Sequence, residues 1–179
     1  MQIIMKHPGF AAILLAAAAA AGPAGAQQIL GATFESGNWY GTAHDRNGRF
    51  SHCAMNARHG NGTMYFAVSG NWSWRVGWNF EDWSLTPNET MPVMVTIDSM
   101  PPQPLMGRAR NPTLVMAELP KDAELFNQFR RGNMLTVSVL RRRASFPLAG
   151  TDTALTRLTD CVKQQLVAAG SRPVVPDQE

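Results

Sequence analysis

The sequence predicts a mainly β protein, a β-sandwich or an open barrel of about seven antiparallel strands, with one short helix and a C-terminal helix. Three observations predict it. Short segments alternate between apolar and polar residues, turn-forming sequences separate them about every ten residues, and only two segments repeat apolar residues at helical spacing. Short strands joined by tight turns are typical of an antiparallel sheet system.

The N-terminus has the pattern of a secretory signal peptide. Lys6 provides a positive start, the segment from Phe10 to Ala21 is apolar, and the small residues A-G-A precede position 27. The apolar run is shorter than the ~20 residues that span a bilayer, so a membrane anchor is the weaker interpretation. We expect residues 1–26 to be cleaved off and the mature protein to be periplasmic or secreted.

The remaining chain is long enough for one domain. We expect a single β-rich domain over 27–170, a disordered tail over 171–179 and no transmembrane segment. The chain has 16 Lys and Arg residues against 13 Asp and Glu residues, a formal net charge of +3. So mild a charge gives no indication of nucleic-acid binding.

Turn signals divide this domain into short extended segments. D-R-N-G at 45–48 and H-G-N-G at 59–62 are strong turn formers, since Asn-Gly adopts the positive φ angles of hairpin turns. The proline-rich M-P-P-Q-P at 100–104 is expected to be a surface loop. The predicted strands are Asn38–His44, Arg49–Asn56, Thr63–Ser69, Trp72–Phe80, Pro92–Asp98, Leu114–Leu119 and Met134–Leu140.

The segment N-W-S-W-R-V-G-W-N-F, over 71–80, is the most aromatic of these strands. Successive strand residues point to opposite faces, so one face would carry Trp72, Trp74, Val76, Trp78 and Phe80. This face is either core or a platform that stacks on sugar rings or on a peptide. The opposite face is polar, which favours the core. Trp83 lies beyond the strand, and we expect it to form an exposed aromatic surface.

A short helix is predicted after the strand at 114–119. Pro120 and the acids of P-K-D-A-E suit a first helical turn, where the helix dipole favours negative charge. Leu125, Phe126 and Phe129 form its apolar stripe, and Gly132 ends it.

A longer helix is predicted at the C-terminus, with Thr151 or Asp152 as its N-cap. It runs to about Ala169 and stops at Gly170. Its apolar residues recur at helical spacing and include Cys161, so that cysteine belongs to the buried face.

The chain contains two cysteines, Cys53 on the second predicted strand and Cys161 on the C-terminal helix. In the oxidising compartment of an exported protein, two cysteines permit one intramolecular disulfide. We predict a Cys53–Cys161 bond that joins the helix to the sheet, and the chain-entropy estimate for so long a loop is about 4–5 kcal/mol. A catalytic or metal-bound thiol is the weaker interpretation, since no C-x-x-C motif is present.

Three histidines, His44, His52 and His59, lie close to Cys53 in sequence and invite a metal-site interpretation. On a strand His52 would point away from Cys53, and no Asp or Glu pattern completes a ligand set. We therefore expect surface histidines in turns, with no metal and no cofactor.

The sequence contains no serine-hydrolase motif and no glycine-rich phosphate loop. Glu81 and Asp82, beside Trp83, could act as a glycosidase acid next to a sugar-stacking ring. Adjacent carboxylates in a turn are more often simply solvated. An exported carbohydrate-active or other hydrolase that uses Glu81 or Asp82 is therefore the alternative function.

Arginines cluster at two places, Arg130-Arg131 at the end of the short helix and Arg141-Arg142-Arg143 after the strand at 134–140. If these two ends lie together, the guanidinium groups would form an anion-binding patch for lipid phosphate, a polyanionic glycan or an acidic protein. The competing interpretation is a solubilising sheet edge, on which arginine discourages edge-to-edge strand pairing.

Several short motifs follow one another in an order that resembles a known family. They are W-x-G near the mature N-terminus, the cysteine of the second strand, V-T-I-D, F-N-Q-F-R-R-G-N-M-L-T-V and F-P-L-A-G-T-D-T-A-L-T-R-L-T-D-C. In this order, which spans most of 38–166, the chain resembles the small exported proteins of alphaproteobacteria related to the invasion-associated locus B protein. The resemblance implies a periplasmic or envelope β-rich protein with no known catalytic residues, sometimes linked to host-cell interaction.

The sequence thus favours an exported, non-enzymatic envelope protein that binds a ligand or another protein, and it favours this role over catalysis. Its partner would be an envelope protein or an anionic envelope component.

Overall fold

The computed structural model describes residues 25–170. Its elements in chain order are β1 (Gln27–Ser36), β2 (Trp39–Arg46), β3 (Arg49–His59), β4 (Gly62–Ser69), β5 (Trp74–Phe80), β6 (Thr90–Ile97), β7 (Gln103–Asn111), β8 (Leu114–Glu118), α1 (Ala123–Arg131), β9 (Met134–Val139), β10 (Arg142–Pro147) and α2 (Thr151–Ala168). The predicted signal peptide lies outside the described residues except for its last two positions, and the predicted tail lies outside them entirely. Within 25–170 no helix combines the length and apolar character needed to cross a membrane.

All ten strands form one antiparallel sheet in the order β1-β2-β3-β4-β5-β8-β7-β6-β9-β10, and the edge strands β1 and β10 leave it open. Phe80 of β5 and Phe146 of β10 nevertheless have ring centroids only 5.8 Å apart. Five strand spacings of about 4.8 Å would separate these strands by about 24 Å in a flat sheet. The sheet therefore curves strongly, and its two halves face each other across the core.

The core lies on the inner face of this curved sheet. Burial alternates along the strands, as in β4, where Met64, Phe66 and Val68 are buried and the residues between them are half-buried. Phe66 meets Phe129 of α1 edge to face, with centroids 5.2 Å apart. α2 packs against β1 to β4 and against α1. The two helices thus complete the core on the side of the first strands.

The sheet has ten strands, so the prediction of seven is too low, and the additional strands are β1, β7 and β10. β1 is a mostly exposed edge strand whose register shifts between Gln28 and Thr33, so no continuous alternation marks it. β10 pairs only with β9, and its arginines resemble a polar loop in sequence. β7 begins at Gln103, within the segment 100–104 that we expect from its prolines to be a loop.

Two prolines fit within strands because each lies where a neighbouring strand does not reach. Proline has no N–H to donate to a ladder. Pro104 pairs with β6, but β8 pairs with β7 only from Gly107 onward. Pro92 pairs with β7, and β9 pairs with β6 only from Val93 onward. Each proline is therefore paired on one side only, which is the position that strands tolerate.

Both predicted helices are present, and one of their caps differs from the prediction. Asp122 caps α1, since its carboxylate accepts hydrogen bonds from two first-turn N–H groups at 2.9 and 3.3 Å. The N-cap of α2 is Gly150, and the prediction of Thr151 or Asp152 is wrong. Gly150 has φ 78°, a left-handed conformation that glycine adopts without strain. The helix therefore starts one residue earlier and buries Thr151 in its first turn.

Cys53 of β3 and Cys161 of α2 lie at disulfide distance, with their Sγ atoms 2.05 Å apart. Both residues are buried, and 108 positions separate them in sequence. The pairing predicted from the sequence is thus supported at the level of distance. It joins α2 to the inner face of the sheet at β3.

Candidate functional site

The tryptophan strand divides into a buried half and a half-buried end. Val76, Trp78 and Phe80 belong to the core, and Trp78 is fully buried. The interpretation of this face as core is confirmed for these three residues. Trp74 begins β5 and Trp72 precedes it, and both are only half-buried. The first two indoles of the motif therefore lie at the border of the core.

A groove of about 550 Å³ opens beside these two indoles. The start of β5, the segment after β8, α1 and α2 form its walls, and we call it the aromatic groove. Its aromatic side chains are Trp72, Trp74 and Phe126, of which Trp74 and Phe126 pack edge to face with centroids 4.6 Å apart. Small-molecule sites measure ~300–1,000 Å³ and combine apolar walls with a few polar groups. The aromatic groove has both properties.

Trp72 adopts a left-handed backbone conformation where it lines the groove, with φ 62°. Two backbone hydrogen bonds form the turn that holds it there. The backbone N–H of Trp72 donates to the Ser69 carbonyl at 2.9 Å, and the backbone N–H of Ser69 donates to the Ser73 carbonyl at 3.1 Å. For a residue with a β-carbon this conformation costs roughly 1–2 kcal/mol. Backbone strain of this kind concentrates at functional sites. The conformation of Trp72 therefore marks the groove as the candidate site.

Charged side chains line the same groove. Arg130 and Lys163 each form an ion pair with an aspartate of α2. Lys121 and Glu118 form no ion pair within the described residues. Among the described residues, the groove therefore combines flat apolar surface with the unpaired ammonium of Lys121 and the unpaired carboxylate of Glu118. Such a surface suits a ligand that combines rings or apolar side chains with charged groups, as a peptide segment does.

The two arginine clusters are separated in the structure. Arg130 and Arg131 end α1 immediately before β9, whereas Arg141–Arg143 follow β9. β9 is six residues long, so its extended backbone separates the clusters by roughly 20 Å. The prediction of a single five-arginine patch is therefore wrong, because the helix end and the strand end do not lie together. Arg142 instead donates to the carboxylate of Asp82.

Trp83 is buried, with 8% of its surface exposed, so the prediction of an exposed aromatic surface at this residue is wrong. The backbone N–H of Trp83 donates a hydrogen bond to the backbone carbonyl of Phe80 at 3.1 Å. This turn folds the indole back against the Phe80 ring, with centroids 4.7 Å apart. Trp83 and Asp82 line a second cavity of about 240 Å³ beside the β9–β10 hairpin.

Glu81 and Asp82, the carboxylates of the alternative function, have different arginine partners. Glu81 Oε1 lies 3.0 Å from a guanidinium nitrogen of Arg58, and Asp82 pairs with Arg142. All four side chains are more than half exposed. Exposed ion pairs of this kind are ordinary surface features that contribute little to stability. A catalytic use of Glu81 or Asp82 stays a prediction.

His44 of β2 and His52 of β3 are direct cross-strand partners, and their rings stack with centroids 4.7 Å apart. The prediction of histidines in turns is therefore wrong for these two, while His59 is exposed at the end of β3. Burial, reinforced by repulsion from His44, Arg75 and Arg46, lowers the pKa of His52 to about 4. Among residues 25–170, no group of three or more His, Cys, Asp or Glu side chains is placed to hold a metal ion.

Sequence reasoning does not single out Phe126, Lys121 or Trp72 as parts of one site. Phe126 lies at the margin of the apolar stripe of α1, and it is half-buried while Leu125 and Phe129 are buried. The available signal is S-G-N-W at 69–72, because Gly-Asn directly before a tryptophan indicates a turn instead of a strand.

Comparison with known proteins supports the fold. No family model and no curated protein matches the chain. Among solved structures, the crystal structure of invasion-associated protein B from Bartonella henselae is similar, with a TM-score of 0.55 and 17% sequence identity. The similarity covers 74% of this chain and 97% of that chain. At 17% identity the similarity shows a shared fold and gives no information about the groove. The resemblance seen in the sequence is therefore confirmed at the level of the fold.

Proposed function

We propose that this protein is an exported, non-enzymatic envelope protein that binds a ligand or a segment of another protein in the aromatic groove. The observation that carries the proposal is the conformation of Trp72, whose backbone has φ 62° where its side chain lines the groove. A left-handed conformation is costly for a residue with a β-carbon. It persists where the surrounding structure and the function require the side chain at that position.

The lining of the groove supports an amphipathic ligand, with a peptide segment as the best match. Trp72, Trp74 and Phe126 provide flat surfaces on which rings or prolines stack. Lys121 and Glu118 provide charged groups of both signs for the polar part of such a ligand. An envelope protein or an anionic envelope component would present these groups.

Three features support an envelope location. The Cys53–Cys161 pair at disulfide distance suits an oxidising compartment. The sequence over 1–26 has the pattern of a signal peptide. The solved structure with a similar fold is an invasion-associated protein of a bacterium. Together they favour a periplasmic or secreted protein, with a role in host interaction as the more specific expectation.

The test is binding of 1-anilinonaphthalene-8-sulfonate, an aromatic anion whose fluorescence rises in an apolar site. We expect saturable binding to the oxidised protein, and about tenfold weaker binding to Trp72→Gly and to Lys121→Gln, because the dye needs both a stacking surface and a cation. Tyr40→Ser is the matched control, since Tyr40 is an exposed aromatic residue of β2 outside the groove. Unchanged affinity in both groove variants would falsify the proposal.

A double carboxylate variant, E81Q/D82N, distinguishes the alternative function. Asp82 and Trp83 line the 240 Å³ cavity, which is the observation that favours a hydrolase at this place. A binding protein keeps its dye affinity in this variant. Hydrolysis of chromogenic glycosides that is lost in E81Q/D82N and kept in Trp72→Gly would establish the hydrolase instead.

A further inference from the structure

The tip of the β9–β10 hairpin presents an apolar residue to solvent. Val139 pairs with Arg142, which leaves Leu140 and Arg141 as a two-residue turn. Leu140 is 66% exposed and has φ 55°. Glycine is the usual residue at a positive φ in such a turn. Neither burial nor turn geometry therefore accounts for a leucine at this position.

Arginines surround this leucine. Arg141, Arg142 and Arg143 are all exposed, and Arg142 is paired with Asp82. Arg141 and Arg143 form no ion pair with any residue in the described part of the chain. The hairpin tip thus carries two uncompensated positive charges beside an exposed apolar side chain.

The outer face of the neighbouring strands continues this surface. Val93 of β6 pairs with Val139 at the end of β9, so Pro92 stands level with the hairpin tip. Pro92 pairs in turn with Met106 of β7, which is 66% exposed, and Arg108 is exposed two positions further along the same face. We call Leu140, Arg141, Arg143, Met106 and Arg108 the hairpin surface.

We propose that the hairpin surface docks onto the surface of an anionic lipid bilayer. Arginines near such a surface are attracted to its lipid phosphates. Exposed leucine and methionine side chains can enter the boundary between headgroups and acyl chains. The hairpin surface combines guanidinium groups with exposed apolar side chains, and an anionic bilayer offers both phosphates and an apolar phase. An acidic polypeptide would supply only the anions, so this combination favours a bilayer.

This inference does not depend on the aromatic groove. The groove includes Arg130, which lies before β9, and the hairpin surface begins after β9. The two surfaces thus occupy opposite ends of that strand. A membrane-docked protein would still have the groove available, and failure of either proposal leaves the other testable.

The test is co-sedimentation of the oxidised protein with vesicles that contain phosphatidylglycerol, and with vesicles of phosphatidylcholine alone. We expect binding to the anionic vesicles that weakens as salt is raised, and none to the neutral vesicles. R141Q/R143Q should bind about 25-fold more weakly, about fivefold for each arginine. The control R49Q/R157Q removes two exposed arginines elsewhere with the same change of net charge, and should weaken binding by no more than about twofold.

Leu140→Gly separates docking from folding. Glycine relieves the positive φ, so the melting temperature should stay the same or rise, while vesicle affinity falls about threefold to tenfold. Equal binding to neutral vesicles, or an equal loss in R49Q/R157Q, would overturn the proposal. Binding to immobilised poly-glutamate that is as tight as binding to the anionic vesicles, and unchanged in Leu140→Gly, would also overturn it and identify an acidic polypeptide as the partner. Release by inorganic phosphate at an ionic strength at which chloride releases no protein would overturn it and identify a free anion.

Discussion

The two ends of the tryptophan motif have different surroundings although they share one sequence pattern. Trp78 is fully buried on the inner face of the sheet. Trp72 and Trp74 are half-buried and line the aromatic groove. The difference lies in what surrounds each indole. Trp78 is enclosed by the core, whereas Trp74 packs against Phe126 of α1 and both of the first two indoles line a groove that α1 and α2 border.

This contrast separates two kinds of information in an alternating sequence. The alternation establishes which residues share a face, since it follows from strand geometry alone. What covers that face depends on elements that are distant in the sequence. Here one strand face serves as core at one end and as the wall of a candidate binding site at the other.

The largest expected effect is at Trp78. Trp78→Ala should lower the free energy of unfolding by about 3–5 kcal/mol, because it leaves a large cavity in the core. Trp78→Phe is the matched variant and should lose only about 1–2 kcal/mol. Its ring fills much of the space, and the indole Nε1 that it removes has no hydrogen-bond partner among the described residues. Urea unfolding measures both, and equal losses would contradict this account of the core.

Loss of the Cys53–Cys161 disulfide should have the next largest effect on stability. Because this bond holds α2, its loss should also affect the groove beside Trp72 and Trp74. C53A/C161A should lower the free energy of unfolding by about 2–5 kcal/mol, because the bond closes a long loop in the unfolded chain. α2 carries Cys161 and supplies one wall of the groove. Dye binding in the groove should therefore weaken as well.

Urea unfolding of the oxidised protein, the reduced protein and C53A/C161A provides the measurement. The reduced protein should match the double variant, since both lack the same bond. Equal midpoints for the oxidised protein and the double variant would contradict a stabilising link between α2 and β3.

Much of the sheet could be predicted, because each of the seven predicted strands corresponds to an observed one. Alternation and turn residues are local signals, and these strands carry both. The missing strands lack such signals. β1 contains a register shift near Gln28, β7 contains Pro104, and β10 is rich in arginine. Their pairing is established by the neighbouring strands, which local sequence does not reveal.

The candidate site was harder to predict than the fold. Helical periodicity places Phe126 on the apolar stripe of α1, but it does not show that Phe126 meets Trp74 at the edge of the core. The direction in which a turn folds is equally hidden, so the burial of Trp83 could not be foreseen. Among contacts between residues distant in sequence, the Cys53–Cys161 pair could be predicted, because two cysteines allow a single intramolecular pairing.

The stability of the protein should depend on pH through His52, which lies on the outer face of the same sheet. His52 has a pKa lowered from 6.5 to about 4, chiefly by burial, and Arg75 of the tryptophan strand adds to the effect. Between these values the unfolded chain binds a proton that the folded protein does not, so stability falls as pH decreases from about 6.5 toward 4. Because His52 is partly screened by solvent, we expect a loss of about 1–2 kcal/mol.

Urea unfolding at several pH values checks this prediction, and His52→Gln isolates the contribution of His52. The variant should have a flatter dependence of stability on pH over the same range. An unchanged slope in His52→Gln would assign the acid sensitivity to other groups. The buried inner face, represented by Trp78→Phe, should keep the slope of the original protein.

The smallest effect on stability is expected at Trp72, although its loss should weaken dye binding about tenfold. Trp72→Gly relieves the backbone at φ 62° but loses the packing of a half-buried indole, so the free energy of unfolding should change by less than about 1 kcal/mol. Trp72→Ala is the matched control, because it loses the same indole and keeps a β-carbon. It should be less stable than Trp72→Gly by about 1 kcal/mol.

Both variants should lose dye affinity to the same extent, since both lack the stacking surface. Urea unfolding and dye titration on the same samples separate the two properties. If Trp72→Ala is as stable as Trp72→Gly, the left-handed backbone is not a source of strain. If either variant loses several kcal/mol, Trp72 belongs to the core like Trp78, and the division of the tryptophan motif into core and binding surface fails.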